Sequence, residues 1–115
     1  MYAVQFIFKP GTYDEEFYTL DGAIEEFVAG LPGFLGVEKW VSLDGDIKNP
    51  IYYFENKETL KEFSRFPEHI EAKGKVHKWY DGYQVVVTEV IASYGDGNLP
   101  AIASEVNGKG SFYAG

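Results

Sequence analysis

The side chains able to do chemistry on something other than water crowd into one stretch, Arg65 to Tyr94, RFPEHIEAKGKVHKWYDGYQVVVTEVIASY. His69, which follows Pro67 and Glu68, is the candidate catalytic residue: an unperturbed imidazole titrates near pH 6.5 and suits general acid–base work. The same side chain caps a helix or fixes a loop carbonyl equally well. His77, in a Lys-rich segment containing a glycine, reads as solvated. The two histidines are separated across Gly74 with no third ligand at helical spacing, so no zinc or other metal site is expected. The absence of cysteine excludes a thiolate nucleophile, a sulfur-ligated metal and a disulfide. Trp79, Tyr80 and Tyr83 either wall a pocket for a planar aromatic ligand or lock the loop onto the following strand.

Further candidates lie on the strands. Gln5 and Tyr53 offer polar contacts to a ligand, and Trp40 offers a wall. Glu38 and Glu89 are acids on otherwise apolar strands. If either faces the interior it must be paired or protonated; the alternative is an exposed edge or an interface hydrogen bond. There is no nucleophile elbow, phosphate-cradling loop or dinucleotide fingerprint, so no cofactor is implied. The segment Pro32-Gly33-Phe34-Leu35-Gly36 reads as a helix-to-strand turn.

The elements that must position these residues fit one domain. A chain of 115 residues buries roughly two-thirds of the surface it exposes when unfolded. Hydrophobic residues at 45% and aromatics at 17%, among them nine Phe, nine Tyr and two Trp, indicate a globular protein with an aromatic core or pocket. A net charge of −8 repels phosphate backbones and anionic lipid, so neither nucleic acid nor a membrane surface is expected as a partner. No basic leader precedes an apolar region at the N-terminus, and no run is long enough to span a bilayer. A soluble cytoplasmic protein is expected.

Tyr2 to Lys9 predicts a strand stopped by Pro10-Gly11. Thr12, three residues before Glu15, has capping-box spacing, and Phe17, Leu20, Ile24, Phe27 and Val28 make the apolar stripe of a helix closed by Gly30 and Pro32. Phe34 to Leu43 predicts a second strand with Leu35, Val37, Val41 and Leu43 on one face and Phe34, Glu38 and Trp40 on the other. Asp44-Gly45-Asp46 turns the chain into a third strand, Ile51 to Glu55. Asn56 caps a second helix from Lys57 with Leu60 and Phe63 inward, and Pro67 stops or kinks it. Glu68 to Lys78 reads as a short helix interrupted by Gly74. Tyr80-Asp81-Gly82 reads as a turn, and Tyr83 to Tyr94 as a long fourth strand.

The order β-α-β-β-α-β, with short connections and right-handed crossovers, favours an α+β, ferredoxin-like fold: a four-stranded antiparallel sheet with both helices on one face. Both faces of the strands are nevertheless apolar, as Tyr83, Val85 and Val87 against Val86 and Val90 show. The face without helices therefore meets either a second copy in a homodimer or the C-terminal tail. The domain is expected to span residues 1–95. Residues 96–115 form a tail that is flexible or orders against a partner.

Four segments in this order, LPGFLGVEKW at 31–40, YYFENKETLKEF at 52–63, PEH at 67–69 and WYDGYQVVVTEVIASYG at 79–95, resemble the antibiotic biosynthesis monooxygenase-like family. The resemblance covers about residues 2–95. It implies a dimeric α+β barrel, with a pocket between sheet and helices in each subunit. It also implies a range of activities, from cofactor-independent oxidation of aromatic polyketides to haem degradation. The haem-degrading branch uses an Asn on the first strand, a Trp on the second helix and a His shortly after it. This chain offers Gln5, Phe63 and a His69 that arrives too early, which disfavours that activity. Phe54 and Phe63 replace a Trp of many relatives and keep the pocket apolar. The expected function is a metal-free, cofactor-independent monooxygenase acting on a small aromatic substrate. The alternative is a binding module for haem or another hydrophobic ligand.

Overall fold

A computed structural model describes residues 1–103. Strand β1 (Tyr2–Pro10) is followed by helix α1 (Glu15–Ala29), strands β2 (Phe34–Val41) and β3 (Lys48–Phe54), helices α2 (Lys57–Arg65), α3 (Pro67–Lys73) and α4 (Val76–Trp79), and strand β4 (Tyr80–Glu89). The strands form one antiparallel sheet in the order β2-β3-β1-β4. This is the expected ferredoxin-like α+β arrangement. The remainder of the predicted tail, residues 104–115, lies outside the described residues.

Local chemistry explains most boundaries. Asn56 caps α2 as expected, its side chain accepting the Thr59 N–H at 3.0 Å. The cap of α1 is Asp14, not Thr12: the Asp14 carboxylate accepts the Phe17 N–H at 2.9 Å. Pro67 both ends α2 and opens α3 at its first turn, where a missing N–H costs nothing.

Two further expectations are corrected. A bulge between Phe34 and Gly36 takes Leu35 out of the β2–β3 pairing. Phe34 consequently sits opposite Phe54, on the same face as Val37, rather than on the Glu38 and Trp40 face. The segment Tyr80-Asp81-Gly82 is the start of β4 rather than a turn: Tyr80 pairs with Pro10 and Gly82 with Lys9, and the strand ends at Glu89. The Trp79 carbonyl accepts the Gly11 N–H at 2.8 Å. That bond holds α4 against the end of β1 and brings β4 into register early.

The core lies between the sheet and α1, α2 and α3. Ile24, Val28, Leu31, Phe54 and Phe63 are its buried centre, with Val4, Phe34 and Tyr52 packed around it. Burying a side chain as fully as Phe54 contributes about 1.5–3 kcal/mol. The opposite face of the sheet carries Ala3, Gln5, Ile7, Ile51, Tyr53, Glu38, Trp40 and Val86, by the strand register. Beyond β4 the chain returns to that face. The Ile102 N–H donates to Glu38 Oε2 at 2.9 Å, and the Ile102 side chain lies over Gly36. Among the described residues, no helix is long and apolar enough to cross a membrane.

Candidate active site

The helices do not close fully on the sheet, and a cavity of about 460 Å³ remains between them. Val4 and Phe6 of β1, Tyr52 of β3, and Tyr83, Val85 and Val87 of β4 form its floor. Its roof comes from the α1 stripe (Phe17, Leu20, Ile24), from Leu60 and Phe63 of α2, and from Trp79 at the end of α4. The helical 3.6-residue period of α1 and the two-residue period of the strands point these side chains at one another.

Five of the candidates read from sequence meet here: Phe63, His69, Trp79, Tyr80 and Tyr83. The His69 ring lies 4.4 Å from that of Phe63, and its Nδ1 is buried with no hydrogen-bond partner among the described residues. Burial, and then the neighbouring Lys73 ammonium, push the imidazole pKa down to about 4, so it is neutral at pH 7. Backbone hydrogen bonds at Phe63 and Ser64 oppose that shift.

Trp79 is 2% exposed and donates its Nε1–H to Asp14 Oδ1 at 3.0 Å, so it both lines the cavity and locks α4 to the start of α1. Lys75 and Lys78 reinforce that junction by pairing with Glu16 at 2.6 and 3.0 Å. Tyr80 packs edge-on against Phe6 and Phe8, and its phenol pKa is raised, by burial first and then by Tyr13 and Asp21. Tyr83, 54% exposed, stands at the rim.

Gln5, Trp40 and Tyr53 are not in this cavity. They stand on the face of the sheet away from the helices, by the register that pairs Val4 with Tyr52 and Ala3 with Tyr53. The alternation of a strand divides its residues into two sets but does not say which set meets the helices. On that face Gln5 Oε1 accepts from Asn49 Nδ2 at 3.0 Å, and the Tyr53 hydroxyl donates to Glu38 Oε1 at 3.0 Å. Burial and then Glu38 push the Tyr53 phenol up to about 12. Trp40 is 61% exposed. Glu89 lies on the helix-side face, where it accepts from the Tyr2 hydroxyl at 3.3 Å. His77 is exposed, outside the cavity lining.

Sequence reasoning missed five polar residues of the cavity lining: Asp21, Glu25, Tyr52, Ser64 and Lys73. The Tyr52 hydroxyl donates to Glu25 Oε1 at 2.9 Å, and burial, then Glu25, raise the phenol pKa. Burial and the Glu25 charge raise the Asp21 carboxyl, partly offset by Lys39. A signal for the two acids was present. They are four residues apart and each directly follows an inward stripe residue, Leu20 and Ile24, which puts both at one edge of the apolar face. Among the described residues, no group of three or more His, Asp or Glu is placed to hold a metal ion.

The fold has known counterparts. Rv0793 from Mycobacterium tuberculosis superposes with a TM-score of 0.63 at 16% identity, over 82% of this chain and 98% of that one. SnoaB, a cofactor-independent oxygenase from Streptomyces nogalater, gives 0.61 at 12% identity, over 80% and 94%. An antibiotic biosynthesis monooxygenase-like protein from Nitrosomonas europaea gives 0.59 at 14% identity, over 79% and 99%. The chain has the antibiotic biosynthesis monooxygenase-like fold. That fold carries the resemblance read from the four sequence segments, and it extends over nearly the whole length of the neighbours. No protein-family model matches the sequence, and a search of curated proteins returns no match.

Proposed function

We propose that this protein is a cofactor-independent monooxygenase that oxidises a small aromatic or polyketide-like substrate in the cavity between sheet and helices. The observation that carries this reading is the cavity itself: about 460 Å³, aromatic-walled, and furnished with a few polar side chains. That size and lining suit a planar ligand of two or three rings. The similarity of fold to SnoaB supports the chemistry.

In such a reaction the substrate supplies its own electrons. Loss of a proton from a phenol or enol gives a carbanion that reduces O2. The oxygenated carbon then loses water, so that a CH2 group and O2 become a carbonyl and H2O. The protein needs only to orient the substrate, accept hydrogen bonds from it and keep water away. Phe63, Trp79, Tyr80 and Tyr83 are the walls in this reading, and His69 is the polar group that meets a substrate hydroxyl. The test is oxygen uptake by purified protein with anthrone and quinol substrates. His69→Ala is expected to lower turnover by about tenfold to a hundredfold, the range of one well-placed hydrogen bond or acid–base group. An unchanged rate removes His69 from the mechanism, and no uptake with any substrate rejects the reading.

A binding-only module is the second reading, since the same apolar cavity lined by His69 can hold a hydrophobic ligand without turnover. A haem titration whose Soret shift disappears in His69→Ala, without oxygen uptake by the wild type, selects it.

A further inference from the structure

The oxygenase reaction begins with loss of a substrate proton, and a group in the cavity must take it. His69 is a weak base, with a pKa of about 4 and a ring packed 4.4 Å from that of Phe63. Tyr52 is committed, its hydroxyl donating to Glu25 Oε1 at 2.9 Å. The cation in the lining, Lys73, turns its Nζ to the Ser64 carbonyl at 3.4 Å. Asp21 remains. It lies one turn before Glu25 on α1, lines the cavity, and makes no hydrogen bond or ion pair among the described residues.

Charged and titratable groups reach Asp21 from several elements: Glu25 on α1, Tyr13 just before α1, Tyr52 on β3, Tyr80 on β4 and Lys39 on β2. Burial and then the Glu25 charge raise its carboxyl, against a smaller opposing effect of Lys39. A carboxylate placed this way is a better base than an ordinary one, since its pKa lies closer to the working pH. Asp21 is also exposed at the cavity mouth, where water exchanges its proton.

We infer that Asp21 is the general base that removes the substrate proton, with the Tyr52–Glu25 pair as its positioning partner one helical turn away. The inference rests on the oxygenase reading for its substrate and for O2, and needs no other co-reactant. An acidic C–H of the substrate loses its proton to the Asp21 carboxylate, and the bonding pair stays on carbon. The carbanion gives its electrons to O2, and a C–O bond forms to a peroxide anion. Asp21 returns its proton to that anion. The hydroperoxide then loses its remaining C–H hydrogen as the O–O bond breaks, which leaves a carbonyl and water.

Two readouts on the full chain separate the base from the oxygenase. The first is anaerobic exchange of the anthrone C–H protons with D2O, followed by NMR; the second is oxygen uptake with anthrone. Asp21→Asn, nearly isosteric, is expected to lower both rates by about a hundredfold or more. Anthrone binding without oxygen, read by tryptophan quenching, should stay within about threefold. Glu25→Gln removes the like charge beside Asp21 and should move the acid limb of the pH–rate profile to lower pH. A purely structural Glu25 would lower the rate and leave the limb in place. Exchange and uptake unchanged in Asp21→Asn overturn the inference and leave the oxygenase standing. Exchange that requires Asp21, without oxygen uptake, rejects the oxygenase and keeps the base. Wild-type protein that speeds neither process overturns both. An acid limb unmoved by Glu25→Gln also overturns the inference, and decides the matter if Asp21→Asn loses anthrone binding.

Discussion

His69 couples the cavity to pH. Its pKa falls from 6.5 to about 4 on folding, chiefly through burial, so the unfolded chain binds the extra proton more readily. Stability is therefore fully present above about pH 6.5 and is lost as pH falls through the window down to about pH 4. The slope from one such group is at most about 1.4 kcal/mol per pH unit. Asp21 works in the opposite sense, because its raised carboxyl favours the folded state under acid. Comparison with a variant isolates the histidine: His69→Gln should lose less stability than wild type between pH 7 and pH 5, measured as the shift of the urea midpoint. Equal losses would place His69 in contact with water. The same residue shows what was readable in the sequence. Its place after Pro67 and its reach toward a pocket were legible from the PEH segment. Its depressed pKa was not, because that depends on Phe63 and Lys73 closing around it. The neighbouring tyrosines make the complementary point. Tyr52 and Tyr53 are alike in sequence, and only the register against Val4 and Ala3 decides that Tyr52 enters the cavity.

At the scale of elements, two glycines separate propensity from necessity. Gly22 sits in the middle of α1 with open space where a Cβ would go. Gly22→Ala should stabilise the protein by about 0.5–1 kcal/mol, through reduced freedom of the unfolded chain and better helix propensity. Gly33, in the turn between α1 and β2, has φ +93°, and a Cβ there would run into the Thr59 hydroxyl. Gly33→Ala should destabilise by about 1–3 kcal/mol from the backbone alone. Thermal or urea unfolding of the pair reads both signs, and a destabilising Gly22→Ala would mean that α1 bends or packs at that point. The helices were legible because caps and stripes are local signals: Asn56, Leu60 and Phe63 set α2 before any tertiary contact exists. The start of β4 was not. Tyr80-Asp81-Gly82 has turn composition, and it becomes strand only because Gly11 and Pro10, about seventy residues earlier, supply its partners.

At the scale of the molecule, the sheet face away from the helices sets the remaining prediction. Ile7, Ile51, Val86 and the 61%-exposed Trp40 stand there beside Gln5 and Asn49, whose Oδ1 is buried without a hydrogen-bond partner among the described residues. An apolar sheet face of this kind is normally covered. Two occupants compete for it. The chain's own C-terminal segment reaches it at the β2 side, through Ile102 on Glu38 and Gly36, but the contacts it makes there leave Trp40 exposed. A second copy, sheet against sheet about a two-fold axis, would cover the rest in a self-complementary interface. We expect a homodimer by light scattering. Trp40→Asp should weaken it by about 2 kcal/mol or more, about thirtyfold in Kd, as loss of an aromatic anchor does at an interface centre. Truncation after Asn98 decides between the occupants. If the full chain is a monomer and the truncated one dimerises, the C-terminal segment holds the face and the homodimer is displaced. If both dimerise and Trp40→Asp separates both, the second copy is the partner. The segment at Ile102 is then an edge contact that leaves Trp40 to the neighbouring subunit.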